Sequence, residues 1–330
     1  MRRILYTGLV LLLLSCNNDE SPAELQIHAG YQKDILSIPN GPEVNLAIWY
    51  PTLEEERSYI YNTAASQLDL SGTVAENSAV ADGLWPLIIF SHGFSGGGIG
   101  SAEICESLAR AGYVVVAPDH SDAVISVRVE GTASGTISDA LNYLENNPFG
   151  DGSDYLYRLS EIQGLIAHFT AQSSFNINPA QLILGGHSMG GWTVMKAVEN
   201  GSRPTAAFLF SMGELNWLFA GQRYYQAEFF EGLDFPTAYY YGEDEYGQAV
   251  NNGRENVYAA YCFTHSPSPS YGLIVENGNH FTYNSQAVAP QSHGDASQLE
   301  SITSRLIRFL DKYVKGEETT VTQDPLDVHK

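Results

Sequence analysis

Apolar positions along the chain follow two alternating patterns, short continuous runs and longer stretches with a helical period. The continuous runs predict buried strands, at residues 44–50, 87–91, 113–117, 181–184, 205–210, 237–241 and 271–275. The helical stretches predict helices, at residues 101–110, 136–146, 158–172, 189–199 and 299–313. Strands that alternate with helices in this way predict an α/β fold, a mostly parallel sheet covered by helices on both faces.

The pattern contains no linker and no internal repeat, so it predicts a single globular domain over residues 25–315. Residues 53–84 are polar and lack a clear period, which predicts a segment that runs over the surface. The last residues, 316–330, have the composition of a solvated and flexible tail.

The N-terminus carries the pattern of an export signal. Two arginines precede an apolar core from Ile4 to Leu14, which is too short to span a bilayer. The core ends in Leu-Leu-Ser-Cys, which resembles a bacterial lipobox, so residues 1–15 are predicted to be a lipoprotein signal peptide and Cys16 the lipidated residue. Residues 16–24 would then tether the domain to the outer membrane or cell surface. An ordinary secretory signal is the alternative, and it would leave the protein periplasmic or secreted.

Composition narrows the classes of partner. The chain has 330 residues, of which 44% are apolar, enough for a sizeable core. Its formal net charge is −22. Binding to nucleic acid requires a basic face, so we expect no nucleic-acid partner. A strongly acidic surface favours neutral or cationic substrates.

Cys105 and Cys262 are the other two cysteines. An exported protein permits a disulfide between them, and two buried thiols are equally compatible with the sequence. Neither paired cysteines nor a His-x-x-x-His spacing predicts a metal site, and the sequence has no Gly-rich nucleotide loop. We therefore expect neither a metal ion nor an organic cofactor.

The stretch Leu-Ile-Leu-Gly-Gly-His-Ser-Met-Gly-Gly places a serine between glycines, where a predicted strand meets a predicted helix. Gly186 and Gly190 lie two residues on either side of Ser188, the Gly-x-Ser-x-Gly spacing of a nucleophile elbow. Such a turn is sharp and strained, and it exposes the serine Oγ at a helix N-terminus that favours developing negative charge. Ser188 is therefore the predicted nucleophile.

A nucleophilic serine needs a base and an acid that orients the base. His280 follows the predicted strand 271–275 and is the candidate base. Asp244 and Glu245 follow the strand 237–241, where the acid is expected. A Gly-x-x-acid spacing from Gly242 favours Glu245, whereas the commoner residue type favours Asp244. Asp244 is marginally preferred, and both remain candidates.

The third requirement is a pair of backbone N–H groups that bind the oxyanion. The Gly-rich segment 90–98 follows a predicted buried strand, as a loop with this role does. By position, the amides of Phe94 and Met189 are the predicted donors. His92 lies in the same loop and is predicted to order it through hydrogen bonds rather than to act as a second base.

Five segments now suggest a family. Ala-Ile-Trp-Tyr-Pro-Thr, Pro-Leu-Ile-Ile-Phe-Ser-His-Gly-Phe-Ser-Gly-Gly, Ala-Gly-Tyr-Val-Val-Val-Ala-Pro-Asp-His, the serine motif and Glu-Asn-Gly-Asn-His-Phe occur in this order. They resemble an α/β-hydrolase of the platelet-activating-factor acetylhydrolase and dienelactone-hydrolase-like group, which is related to bacterial cutinases and polyester hydrolases. The resemblance implies an α/β-hydrolase fold with Ser188 as nucleophile, His280 as base, and Phe94 and Met189 as oxyanion donors.

The chain departs from the acetylhydrolase pattern in one respect. That pattern places the acid just after the strand that follows the elbow helix, where this sequence has Ser211-Met212-Gly213. A cutinase-like acid, at Asp244 or Glu245, fits better and counts against an acetylhydrolase substrate. The predicted activity is a serine carboxylic-ester hydrolase acting on a small-molecule or polymeric ester. A serine peptidase or amidase on the same fold, and an inactive surface-binding lipoprotein, are the alternatives.

Two insertions are candidates for the rim of the site. Residues 214–230 are rich in aromatic side chains, which would either cap the site or pack beneath an added helix. Residues 147–157 form the second candidate rim.

Overall fold

A computed structural model describes residues 26–39, 41–62, 70–124, 128–129, 137–147, 152–171, 174–212, 225–245, 258–285 and 293–330. The predicted signal peptide, Cys16 and the tether lie outside these ranges. The strands are β1 (His28–Ser37), β2 (Glu43–Thr52), β3 (Arg57–Asn62), β4 (Leu70–Glu76), β5 (Trp85–Ser91), β6 (Val114–Pro118), β7 (Ile177–His187), β8 (Ala206–Phe210), β9 (Thr237–Gly242), β10 (Ser270–Val275) and β11 (Val328–His329). The helices are α1 (Ala102–Arg110), α2 (Ile137–Asn146), α3 (Tyr157–Ala171), α4 (Met189–Glu199), α5 (Ala227–Glu231), α6 (Tyr258–His265) and α7 (Ala296–Leu310).

These strands form one sheet in the order β11-β10-β9-β8-β7-β5-β6-β2-β1-β4-β3. The six strands from β10 to β6 are parallel, while β2 is antiparallel to β6 and β1 to β2. Helices α1 and α7 bury their apolar side chains against one face, and α3 and α4 bury theirs against the other. The predicted α/β fold with a mostly parallel sheet and helices on both faces is confirmed.

The central strands were predictable because they are buried on both faces. Every residue of β6, β8 and β9 is buried, and β5 is buried except at its first residue. Strands of this kind need apolar residues at successive positions rather than an alternating pattern. The glycines and histidine that interrupt the pattern in β7 lie at its carboxyl end, beside the serine turn.

The prediction of a surface segment over residues 53–84 is wrong where β3 and β4 form a hairpin. Tyr61, Leu70 and Val74 are buried in the core. The hydroxyl of Tyr61 accepts a hydrogen bond from Trp49 Nε1 (2.8 Å) and donates one to Glu106 Oε1 (2.8 Å). The sequence obscured these strands because only part of each is buried, and the exposed positions are polar except for Ile60.

The prediction of a flexible C-terminal tail is also wrong for the end of the chain. Val321 is buried, and β11 pairs with β10. Lys330 exchanges two backbone hydrogen bonds with Ser270 (3.0 Å each). The carboxylate of Asp327 is 2.5 Å from Nη1 of Arg305, with both side chains buried. A buried guanidinium requires such a partner, and this pairing is not visible in a polar composition.

Two further expectations concern cysteines and membrane spans. Cys105 and Cys262 are both buried and are not joined by a disulfide, so the open question of a disulfide is answered by two thiols. Among the described helices, none has the length and apolar character needed to cross a bilayer.

Candidate active site

The carboxyl ends of neighbouring parallel strands place the candidate residues at one edge of the sheet. Ser188 follows β7, Ser211 follows β8, Glu245 comes after β9 and His280 comes after β10. The loop at residues 92–98 follows β5, on the other side of β7. Open α/β sheets bind their ligands at this edge because loops from several strands converge there.

The turn between β7 and α4 has the strained backbone geometry that the predicted nucleophile elbow requires. Ser188 has φ 53° and ψ −117°, a conformation that L-residues rarely adopt. A Cβ on Gly186 would overlap the backbone of Gly190, and a Cβ on Gly190 would overlap the carbonyl of Ser91. Both glycines are therefore required for the close packing of this turn against the end of β5.

Ser188, His280 and Glu245 form a continuous hydrogen-bonded series. His280 Nε2 is 2.9 Å from Ser188 Oγ, and His280 Nδ1 is 2.8 Å from Glu245 Oε1. The structure therefore brings Glu245 to the imidazole, whereas Asp244 is exposed and donates its amide N–H to Gly278 (2.9 Å). The preference for Asp244 does not agree with this geometry. The Gly-x-x-acid spacing had favoured the residue that makes the contact.

The second carboxylate oxygen of Glu245, which does not contact His280, is also hydrogen-bonded. Its Oε2 accepts hydrogen bonds from Ser211 Oγ (2.6 Å) and from the amide of Gly242 (2.9 Å). Burial alone would raise the pKa of Glu245, but the hydrogen bond and charge of His280, with the bonds from Ser211 and Gly242, hold that pKa below its usual value. An ionised Glu245 accepts a hydrogen bond from the Nδ1–H of His280, and this tautomer leaves Nε2 unprotonated and able to accept a proton from Ser188 Oγ.

The loop after β5 lies directly against Ser188. A Cβ added to Gly93 would be 3.1 Å from His187 Nδ1 and 3.3 Å from Ser188 Cβ. Within the described part of the chain, the amides of Phe94 and Met189 donate to no protein acceptor. Met189 opens α4, and the first N–H groups of a helix lack partners within that helix. The predicted pair of oxyanion donors thus lies beside Ser188 with both N–H groups available.

His92 and His187 are both held as neutral rings. His92 Nδ1 donates to the carbonyl of Gly93 (2.6 Å), and its Nε2 accepts from the amide of His120 (3.0 Å), so this ring orders the loop as predicted. Burial, followed by the charge of Arg158, holds the pKa of His92 well below its usual value. His187 Nε2 donates to the carbonyl of His280 (2.7 Å), and burial lowers the pKa of His187 to about 3.

A buried polar network beneath the loop was not anticipated. His120 Nε2 is 2.7 Å from Ser91 Oγ, and its Nδ1 is 2.6 Å from Glu161 Oε2. These three residues repeat the serine, histidine and acid types of the candidate site, but all three side chains are at most 1% exposed. They therefore link β5, the end of β6 and α3 rather than meeting a substrate.

The sequence does contain a signal for this network. Arg158 and Glu161 lie on the same helical face as Ile162, Leu165 and Phe169, all of them buried. Charged residues on an apolar helix face are rarely fully buried unless they are paired. Their presence there indicates internal ionic partners.

The walls of the site are partly aromatic. The half-buried ring of Phe94 lies 5.9 Å from Tyr143 and 6.0 Å from Tyr155. Phe281 is 40% exposed, and its ring is perpendicular to that of His280 at 5.2 Å. Tyr155 belongs to the predicted rim 147–157 and is buried, with its hydroxyl donating to Asn147 (2.5 Å).

The second candidate rim, 214–230, is described only from residue 225. Phe230 and Tyr225 are buried, and the Tyr225 hydroxyl is 3.3 Å from the carbonyl of Trp192. This part packs against the core, while Trp217, Phe219 and Tyr224 lie outside the described residues. In the ranges that the structure covers, no three His, Cys, Asp or Glu side chains are arranged to hold a metal ion.

Comparison with known proteins supports an esterase-type hydrolase. Residues 47–134 match the family model of platelet-activating factor acetylhydrolase, isoform II, and this segment includes the loop with Phe94. No curated protein matches the chain. A ferulic acid esterase from Streptomyces cinnamoneus has a similar structure, with a TM-score of 0.67 and 17% sequence identity. The similarity covers 93% of this chain and 95% of the esterase.

These findings confirm the predicted resemblance. The chain has the α/β-hydrolase fold, and its similarity lies with the platelet-activating-factor acetylhydrolase and esterase group.

Proposed function

We propose that the protein is a serine carboxylic-ester hydrolase that works through an acyl-enzyme. The observation that carries this proposal is the hydrogen-bonded series from Glu245 through His280 to Ser188, at a strained strand-to-helix turn. The family match and the esterase neighbour support an ester as the bond that is cleaved.

In the first half of the reaction, Ser188 Oγ attacks the ester carbonyl while His280 Nε2 takes its proton. The negative charge that develops on the carbonyl oxygen is stabilised by the amides of Phe94 and Met189. Glu245 stabilises the imidazolium and keeps its ring oriented. His280 then gives the proton to the leaving alcohol oxygen, and the C–O bond breaks to leave an acyl-Ser188.

In the second half, His280 takes a proton from a water molecule that attacks the acyl carbon. The same amides hold the second oxyanion. Collapse of this intermediate returns the proton to Ser188 and releases the carboxylic acid. The ring of Phe94, together with Phe281, offers apolar surface beside the reacting carbon for a small-molecule or polymeric ester.

Hydrolysis of p-nitrophenyl esters from acetyl to palmitoyl tests this proposal. We expect turnover by residues 17–330 and a loss of at least about a thousandfold in Ser188→Ala. Ser304→Ala on α7, far along the chain from the site, is the matched control and should retain full activity. Cleavage of anilides without cleavage of esters would favour a peptidase or amidase. Neither hydrolysis nor labelling by a fluorophosphonate would contradict the proposal and favour an inactive binding protein.

We also propose that the protein is exported and anchored through a lipid on Cys16. The charged start, short apolar core and lipobox-like cysteine of the sequence support this. The test is metabolic labelling with a fatty-acid analogue and fractionation of cells. Cys16→Ala should lose the label and leave the membrane fraction, whereas labelling that persists in this variant would contradict the anchor.

A further inference from the structure

The guanidinium of Arg158 binds the backbone of the loop at residues 92–98 from its buried side. The Arg158 side chain is fully buried. Its Nη1 donates to the carbonyl of His92 (2.9 Å), and its Nη2 donates to the carbonyl of Gly93 (3.2 Å). One planar group therefore contacts two successive carbonyls on the N-terminal side of Phe94, and it shares the Gly93 carbonyl with His92 Nδ1 (2.6 Å) and the amide of Gly96 (3.1 Å).

Asp122 completes the contact on the other side of Phe94. Its carboxylate accepts hydrogen bonds from Nε (2.8 Å) and Nη2 (2.6 Å) of Arg158. Its Oδ2 also accepts the amide N–H of Ser95 (2.9 Å), a residue with φ 55°. The ion pair thus holds the chain immediately before and immediately after Phe94.

Through the geometry of the peptide unit, these contacts fix the direction of the Phe94 N–H. The carbonyl of Gly93 and the N–H of Phe94 belong to the same planar peptide unit and point in opposite directions. The bonds that fix the direction of the Gly93 carbonyl, among them the one from Arg158, therefore fix the direction of the Phe94 N–H. Arg158 lies on the buried side of that peptide, so the N–H is directed away from the core.

Stability alone is an insufficient explanation for the pair. Replacing a buried ion pair by well-packed apolar residues is often neutral or stabilising, because two charges must be desolvated. A planar guanidinium nevertheless offers something that apolar side chains lack, namely several N–H donors in a rigid arrangement. In this protein the guanidinium donates hydrogen bonds to the carbonyls of His92 and Gly93 as well as to the carboxylate of Asp122.

We propose that Arg158, held by Asp122, is a positioning residue that sets the direction of the Phe94 N–H in the oxyanion hole. This proposal rests on the ester-hydrolase function proposed above. A misplaced donor weakens binding of the transition state more than binding of the ester. The expected result of disturbing Arg158 is therefore a fall in kcat with little change in KM.

Arg158→Lys is the primary test, because lysine keeps the positive charge for Asp122 but lacks the planar set of donors. We expect kcat, measured per active site, to fall about tenfold to a hundredfold, with KM changed less than about threefold. Arg305→Lys is the matched control, since Arg305 is equally buried, pairs with Asp327 and donates to the carbonyl of Ile274 far from Phe94. It should lose stability without losing kcat.

A second readout reports on the oxyanion itself. A thionoester carries sulfur in place of the carbonyl oxygen, and sulfur is a weaker hydrogen-bond acceptor. The native enzyme should prefer the oxygen ester strongly, and Arg158→Lys should reduce this preference by about the same factor as kcat. Unchanged kcat and unchanged preference in Arg158→Lys, beside a stability loss equal to that of Arg305→Lys, would overturn the proposal.

The double variant Arg158→Met with Asp122→Leu covers the case in which Arg158→Lys does not fold. It removes both charges together, so no buried charge is left unpaired. We expect a folded protein with the same loss of kcat and of oxygen preference, and a folded double variant with native kcat would overturn the proposal. Absence of any ester hydrolysis in the native chain is a separate result, which would refute the ester-hydrolase function itself.

Discussion

The Oγ of Ser211 lies 2.6 Å from Oε2 of Glu245. Ser211 occupies the place after β8 where the acetylhydrolase pattern predicts the acid, and here it is a hydrogen-bond donor to the acid that follows β9. Ser211 adopts φ 43°, a strained value for a non-glycine residue. The hydroxyl therefore helps to keep a buried carboxylate ionised.

Removing this hydroxyl should move the acid side of the pH–activity profile. The bond from Ser211 favours the ionised form of Glu245, so its loss in Ser211→Ala raises the pKa of that carboxyl. As the pH is lowered, the activity of this variant should therefore begin to fall at a higher pH than that of the native protein. Its kcat at pH 7 should be reduced about threefold to tenfold. Ser211→Gly also lacks the hydroxyl but relieves the positive φ. It should show the same shift in pH with higher stability, and a profile that stays in place in both variants would contradict this role.

The choice between Glu245 and Asp244 can be tested with isosteric amides. Glu245→Gln loses the charge and disturbs the hydrogen bond to His280 Nδ1, so we expect kcat to fall by about 10³ to 10⁴. Asp244→Asn makes the same chemical change at the exposed neighbour and should leave kcat within about twofold. Steady-state kinetics of both variants decide the assignment. The reverse ranking would assign the acid to Asp244.

Burial of His187 makes stability depend on pH. Its pKa in the folded state is about 3, whereas an unfolded histidine titrates near 6.5, so the unfolded chain binds more protons between these values. Stability should therefore fall as the pH drops below 6.5, and this residue alone accounts for about 2 kcal/mol by pH 4.5. His187→Gln retains an N–H donor for the carbonyl of His280 and cannot be protonated. The pH dependence of its unfolding free energy, from urea titrations, should be shallower by that amount, and an equally steep dependence would refute the assignment.

The buried pair of Arg305 and Asp327 should matter for stability and not for catalysis. Asp327→Ala leaves a buried guanidinium without its carboxylate, which costs about 3 to 5 kcal/mol. Chemical denaturation measures this cost, and kcat per folded molecule should be unchanged. Glu318→Ala changes an exposed carboxylate in the same C-terminal segment and should have almost no effect. Equal stability in the two variants would mean that the pair contributes little.

The sequence predicted the parts of the molecule that obey local rules. Gly186 and Gly190 indicated the elbow because the turn cannot accommodate a Cβ at either position. The strands at the centre of the sheet were predicted because burial on both faces demands continuous apolar runs. His280 was predicted from its order in the chain and the strand before it.

The features that the sequence did not predict depend on contacts between distant residues. Arg158 meets the loop at residue 93 only after α3 packs on the sheet, and Asp327 meets Arg305 only when the chain end returns to β10. The acid remained ambiguous because Asp244 and Glu245 are adjacent. Which of them turns toward His280 depends on the helical turn at residues 243–245, and residue preference does not encode that turn.

The two residues of β11 have a consequence for solubility. They cover part of β10, which would otherwise present unpaired N–H and C=O groups at the edge of a long parallel sheet. An open edge of this kind is a template for pairing with another chain, and short or charged covering strands are a known way to block it. Here the covering strand is short and ends beside Lys330. Loss of this segment should therefore promote self-association through β10, and we expect the docked chain end to protect the protein from aggregation.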